Sequence, residues 1–215
     1  MTHTPQKRKV VRAVLFSLLG IAVLVLIAAA AIVIPILTHQ SAGSSGNQIS
    51  EDFISQTTAQ GEDGRTRELS VTSLDGAPAD LSALVPGEEL VVAGSGFDAG
   101  IGIYVSICKV PDVQGAKPGP CLGGVPEGAM EGKAAGNEVA GPSAWITDDW
   151  AWRGFATQGY DDSATGSFEV RLLVPNSSQE GLDCNVETCA ITTRADHTAA
   201  RDRVQDMQLV VAFAK

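Results

Sequence analysis

The chain has 215 residues, enough for one membrane span and one ordinary domain, and 44% of them are apolar. Its formal net charge is −10, yet all 25 acidic residues and 11 of the 15 basic ones follow Leu37, so that part alone carries −14 (11 basic against 25 acidic). Such a surface lacks the basic stripe that displaces counterions from phosphates, which excludes a nucleic-acid binder; it favours solubility, or steering toward a basic partner.

The first predicted element is a transmembrane helix over residues 13–37. No charged residue occurs from Ala13 to Leu37. A hydrocarbon core of ~30 Å needs about 20 apolar residues at ~1.5 Å each, and this run is longer. Residues 1–12 form a short tail carrying Lys7, Arg8, Lys9 and Arg12, with no acid before the span ends. The positive-inside rule then puts the N-terminus in the cytoplasm and the rest outside the plasma membrane. A cleaved signal peptide would have an apolar core of ~7–15 residues and a small-residue cleavage site, so an uncleaved anchor in the bilayer is the expectation.

Residues 38–66 begin with a small, polar run from Thr38 to Asn47 and stay polar, with acids at Glu62 and Asp63. They read as a flexible extracytoplasmic stalk with a short helix near Ser50–Gln56. From Arg67 the pattern changes to strands. Leu69-Ser70-Val71-Thr72 alternates with period two. Glu89–Ala93 follows a Pro86-Gly87 turn. Ile101, Ile103, Val105 and Ile107 share one face of the next run. Ser167–Val174, Cys189–Thr193 and Gln208–Phe213 complete the set. With no helical period after the span, residues 67–215 read as an all-β sandwich or barrel. Residues 122–165 interrupt this rhythm as a Gly- and Trp-rich insertion, and long loops in compact domains are usually functional or disordered.

All four cysteines follow the span. In an oxidising compartment they form two disulfides, for which three pairings exist; sequence order favours Cys108–Cys121 and Cys184–Cys189. Their spacing does not suit zinc, and no cofactor or metal motif stands out.

The segment Leu84–Gly100, with its Gly94-Ser95-Gly96-Phe97-Asp98-Ala99-Gly100 turn running on to Tyr104 and Cys108, resembles the N-terminal half of the neocarzinostatin-like apoproteins. Gly166-Ser167-Phe168, the Cys184-x4-Cys189 loop and the strand ending at Phe213 are similar to that family's close. The stretch Thr193–Thr198 with Asp202 and Arg203 looks closer still to membrane-anchored actinobacterial envelope proteins of this type. The resemblance implies an immunoglobulin-like seven-stranded β-sandwich with the two short-loop disulfides named above. Secreted members carry enediyne antibiotics in a cleft at one end. This chain departs from them in its anchor, its 122–165 insertion and a wider Cys108–Cys121 spacing, so no cleft residue is carried over.

Three constellations are candidates for chemistry. Asp196-His197 invites a catalytic reading, but no Gly-x-Ser-x-Gly elbow supplies a nucleophile; Asp196 is expected to cap a turn, with Arg194, Arg201 and Arg203 pairing with acids such as Asp202 and Asp206. Asp148-Asp149 and Asp161-Asp162 read as turn and solubility residues before they read as calcium ligands. Trp145, Trp150 and Trp152, beside Phe155 and Tyr160, concentrate aromatic side chains in a chain only 5% aromatic. Tryptophan is enriched both at binding hot spots and in cores, and Trp150 and Trp152 share a face if the segment is extended. These five are the expected partner- or ligand-binding residues. The sequence thus points to a non-catalytic accessory subunit of a larger envelope or membrane complex, respiratory assemblies being one analogy, with a carrier of a small apolar ligand as the alternative.

Overall fold

The computed structural model describes residues 5–126 and 141–214, with side chains from Val10 onward. It divides into two compact units, Met1–His39 and Gln40–Lys215.

The first unit is one helix, α1, Pro5–Thr38. Its stretch Val10–Thr38 is long and apolar enough to cross a membrane. These 29 residues extend about 44 Å. Pro35 falls in the last turn, where a missing N–H costs one hydrogen bond at most.

The second unit is β-rich, with ten strands in three antiparallel sheets. In chain order these are β1 (Gln56–Gln60), β2 (Thr66–Ser73), β3 (Glu89–Ser95), β4 (Ile103–Lys109), β5 (Ser143–Ile146), β6 (Phe168–Leu173), β7 (Ser178–Gln179), β8 (Leu182–Asp183), β9 (Cys189–Ala195) and β10 (Met207–Val211). One four-stranded sheet has the order β1-β2-β3-β6 and the other β10-β9-β4-β5, while β7 and β8 form a hairpin. The ten strands exceed the seven implied by the resemblance, and four of them, β1, β5, β7 and β8, arise from segments without an alternating pattern.

Alternation places the core. Leu69 and Val71 of β2, Leu90 and Val92 of β3, and Phe168, Val170 and Leu172 of β6 pack in one apolar cluster with Ile103, Val105 and Ile107 of β4, Ile191 of β9 and Leu209 of β10. Burying each such side chain contributes about 1.5–3 kcal/mol. Gly94 on β3 is required by this packing: a Cβ there would lie 2.6 Å from Phe168 Cζ and 2.7 Å from Phe97 Cε2. Both disulfides form as sequence order favoured, Cys108–Cys121 and Cys184–Cys189.

The expected stalk differs most from expectation. Residues from Gln40 onward belong to the folded unit. The Ala42 amide donates to Asp202 Oδ2 at 3.0 Å, Ser44 bridges to Arg203, and Asn47 Oδ1 accepts the Gln208 amide at 2.9 Å. Asn47 thereby supplies the free edge of β10 with an acceptor a neighbouring strand would have provided. Residues 50–55 form no helix, and from Gln56 onward β1 pairs with β2, Ala59 opposite Arg67.

Arg67 is a second departure. It points inward from β2 and is 0% exposed. Its guanidinium donates from Nη1 and Nη2 to Asp63 at 3.0 and 2.6 Å and from Nε to Gln205 Oε1 at 2.8 Å, and lies 5.9 Å from the Phe97 ring centre. This network ties the β1–β2 turn to the segment before β10.

Candidate functional site

The outward face of the β10-β9-β4-β5 sheet carries the side chains of interest. Register sets Trp145 of β5 opposite Tyr104 of β4, and Tyr104 opposite Arg194 of β9. The three form a row across the sheet, which is how cross-strand neighbours interact. The Tyr104 and Trp145 ring centres are 5.7 Å apart, and the Arg194 guanidinium lies 5.7 Å from the Tyr104 ring centre.

A 3₁₀ turn, His197–Ala199, roofs one end of the row. Asp196 caps it, accepting the Thr198 amide at 2.8 Å on Oδ1. The same carboxylate accepts Trp145 Nε1–H on Oδ2 at 2.9 Å, so the buried indole has its polar edge satisfied. Gly102 makes room for this contact, because a Cβ there would meet the Asp196 carboxylate and Thr147 Oγ1. The His197 ring stands edge-on to both indoles, 5.2 Å from Trp145 and 4.6 Å from Trp152, and its Nδ1 is hydrogen bonded to the Tyr104 hydroxyl at 3.0 Å. Burial, followed by the Asp196 charge, pushes the Tyr104 hydroxyl up to about 12. At neutral pH the hydroxyl is therefore protonated.

The tryptophan loop is pinned at both ends. Ile146 and Gln158 form a bridge, the Thr147 amide donates to the Gln158 carbonyl at 3.1 Å, and Thr157 Oγ1 accepts the Trp145 amide at 3.0 Å. Asp149 starts the turn: its Oδ1 accepts the Ala151 amide at 2.8 Å, and its carbonyl accepts the Trp152 and Arg153 amides at 3.0 and 2.7 Å. Asp148 closes the loop base through the Tyr160 amide, 3.0 Å away.

These turns separate residues that the sequence groups. Trp145 is 4% exposed and belongs to the sheet. Trp152 is half-buried between His197 and Phe155, with ring centres 6.4 Å apart in the second pair. Trp150 is 74% exposed at the loop tip and Phe155 42% exposed beside it. The segment is a turn, so Trp150 and Trp152 do not share an extended face. Tyr160 is buried in the core: its hydroxyl donates to the Ile101 carbonyl at 2.8 Å, its ring packs on Phe168, and burial pushes its hydroxyl well above the usual range. It stands apart from the aromatic surface.

Tyr104, Arg194 and His197 complete the site; the sequence marks His197 only as a catalytic candidate and Arg194 only as an ion-pair partner, and it does not mark Tyr104. Tyr104 lies on the polar side of an alternating strand, a signal that shows its face but not its partners.

The acidic pairs serve the backbone. Asp148, Asp149 and Asp162 each accept main-chain amides, and among the described residues no group of three or more potential metal ligands gathers. The Asp196 carboxylate is engaged by Trp145 and Thr198, and the group bonded to His197 is a tyrosine hydroxyl held protonated.

Next to the aromatic row is a cavity of about 220 Å³. It is lined by Tyr104, Ser106, Ser143 and Arg194 from the sheet and by Cys121, Gly124, Val125 and Pro126 from the segment after β4. Ser143 Oγ donates to the Gly124 carbonyl at 3.3 Å, while Gln179 holds the Cys121 carbonyl and the Gly123 amide at 2.8 and 2.9 Å. Comparison with family models, with curated proteins and with solved structures finds no match.

Proposed function

We propose that the chain is a non-catalytic, membrane-anchored interaction module, an accessory subunit of a larger envelope or membrane complex, with respiratory assemblies as the analogy. In this reading α1 crosses the plasma membrane with its basic end in the cytoplasm, and the β-rich unit works outside. The observation that carries it is Trp150, a fully presented indole on a loop whose backbone is fixed at both ends. A rigid, exposed tryptophan exposes apolar area at a solvation cost, and a partner pocket recovers it; such residues dominate interface energies. Phe155 and the half-buried Trp152 extend the same surface. The acidic surface adds steering toward a basic partner.

We place the β-rich unit with the immunoglobulin-like sandwiches of the neocarzinostatin type, in the membrane-anchored envelope branch. The strand order supports this: with β2, β3 and β6 taken as A, B and E, and β10, β9, β4 and β5 as G, F, C and C′, one sheet is A-B-E extended by β1 and the other G-F-C-C′. The non-catalytic reading rests on Asp196 and His197, whose partners are structural.

The test is affinity capture of the full-length protein in mild detergent with quantification of what accompanies it. A stoichiometric membrane companion supports the module; a lone protein removes it. A second reading, a small-ligand carrier, is favoured by the tied-down 220 Å³ cavity beside the Cys108–Cys121 disulfide. It is smaller than the ~300–1,000 Å³ of drug-sized sites, so its occupant would be correspondingly small.

A further inference from the structure

We propose that this cavity is a site for a small organic anion, a planar carboxylate whose charge meets Arg194 and whose apolar body lies against Tyr104, Val125 and Pro126. The inference rests on the carrier reading and gives its ligand a chemical class.

Charge pairing across the β-rich unit supplies the argument. Arg65, Arg67, Lys109, Arg171 and Arg203 each have an acidic partner. Arg194 has none among the described residues, nor do Arg153 and Arg201, but of these three only Arg194 lines the cavity. Its Nη1 donates to the Pro118 carbonyl at 3.2 Å, its face rests on Tyr104, and its Nε is buried with no hydrogen-bond partner. Among the described residues, Arg194 is the only formally charged side chain lining the cavity. Lys117, one residue before Pro118, likewise forms no ion pair among the described residues. Burial first, and then the charges of Arg194 and Arg203, hold the Lys117 ammonium below its usual range against the opposite pull of Asp206. Neither cation forms an ion pair among the described residues, and Asp206, the acid whose charge acts on both, is already engaged by Arg203. An arriving carboxylate relieves that crowding, and a guanidinium is the side chain best shaped to receive it.

The other lining groups suit the body of such a ligand. Tyr104 offers a ring face, Val125 and Pro126 offer aliphatic surface, and Ser106 and Ser143 are small hydroxyl residues that leave the floor open. A volume of about 220 Å³ admits a single ring with a carboxylate rather than a polycyclic ligand.

The experiment is ligand-observed NMR on the full-length protein in detergent, titrating benzoate and, separately, benzyl alcohol. Benzoate should bind with roughly millimolar affinity, as ligands of about nine heavy atoms do. Arg194→Gln should weaken it about tenfold or more, Arg194→Lys should restore part of the loss, and added salt should weaken benzoate but not benzyl alcohol. Equal binding of both compounds, unaffected by Arg194→Gln, would overturn the anion assignment while leaving the cavity a ligand site. Binding of neither to the wild-type protein would remove the anion site and the carrier reading together. If Arg194→Gln does not fold, the wild-type comparison of the two compounds and its salt dependence still decide.

Discussion

Replacing Asp206 with asparagine should change how stability depends on pH. Asp206 lies just before β10, buried, with Oδ2 accepting from Arg203 Nη1 at 2.8 Å. Burial outweighs Arg203 and raises the carboxyl from 3.8 to about 7. The sign follows from linkage. Between these two values the folded protein holds a proton that the unfolded chain has released, so stability falls as pH rises through the window. Each pH unit costs about 1.4 kcal/mol while the folded group stays protonated. From about pH 5 to about pH 8 the wild type should therefore lose roughly 3 kcal/mol through this group. Asp63, which the Arg67 hydrogen bonds hold below the usual carboxylate range, acts in the opposite sense, and only in more acidic solution. Asp206→Asn cannot ionise, so its stability relative to wild type should improve by about 3 kcal/mol across the window. Histidine contributions are common to both proteins and cancel in the difference. The assay is denaturant unfolding of both at three pH values with disulfides intact. Parallel curves from pH ~5 to ~8 would refute the burial argument.

Arg67→Ala should destabilise by about 3–5 kcal/mol, because it leaves Asp63 and Gln205 facing a partly buried gap; a shift in denaturant midpoint below 1 kcal/mol would show the network to be dispensable. Gly94→Ala should cost about 1–3 kcal/mol by forcing Phe97 and Phe168 apart, read from the same unfolding curves, and a neutral effect would mean the rings can shift freely.

Strands with clean alternation were legible in the sequence. Leu69/Val71, Ile103/Val105/Ile107 and Phe168/Val170/Leu172 each announce a half-buried strand, and their faces meet in the core. β1 was not, because Gln56-Thr57-Thr58-Ala59-Gln60 has no apolar stripe and becomes a strand only by pairing with β2. β5 was not, because Ser143-Ala144-Trp145-Ile146 is buried on both sides and shows no alternation. The stalk reading failed for a related reason: small polar residues suit a linker, but equally suit a strap that hydrogen-bonds to Asp202 and Gln208. The Asp196 cap and the Arg203–Asp206 pair could be anticipated from local spacing.

The site was legible as a cluster but not as an arrangement. Local composition marks the three tryptophans. What assigns Trp145 to the sheet, Trp152 to the side of His197 and Trp150 to solvent is the turn begun by Asp149 and the register that sets Trp145 against Tyr104. Register also creates the Trp145–Tyr104–Arg194 row from residues far apart in the chain. No periodicity argument reaches that pairing, since it depends on which strands are neighbours. The buried Arg67 was illegible for the same reason, its partner Gln205 lying near the far end of the chain.

The central claim, that the tryptophan loop meets a partner, is tested most directly by a photoreactive side chain in place of Trp150. The full-length protein would be irradiated in its own membranes, with the same group in place of the exposed Val186 as the comparison. The account predicts one dominant adduct from position 150, with the companion that also co-purifies in stoichiometric amount, and little of it from position 186. No adduct at 150, or the same yield from both positions, would contradict it.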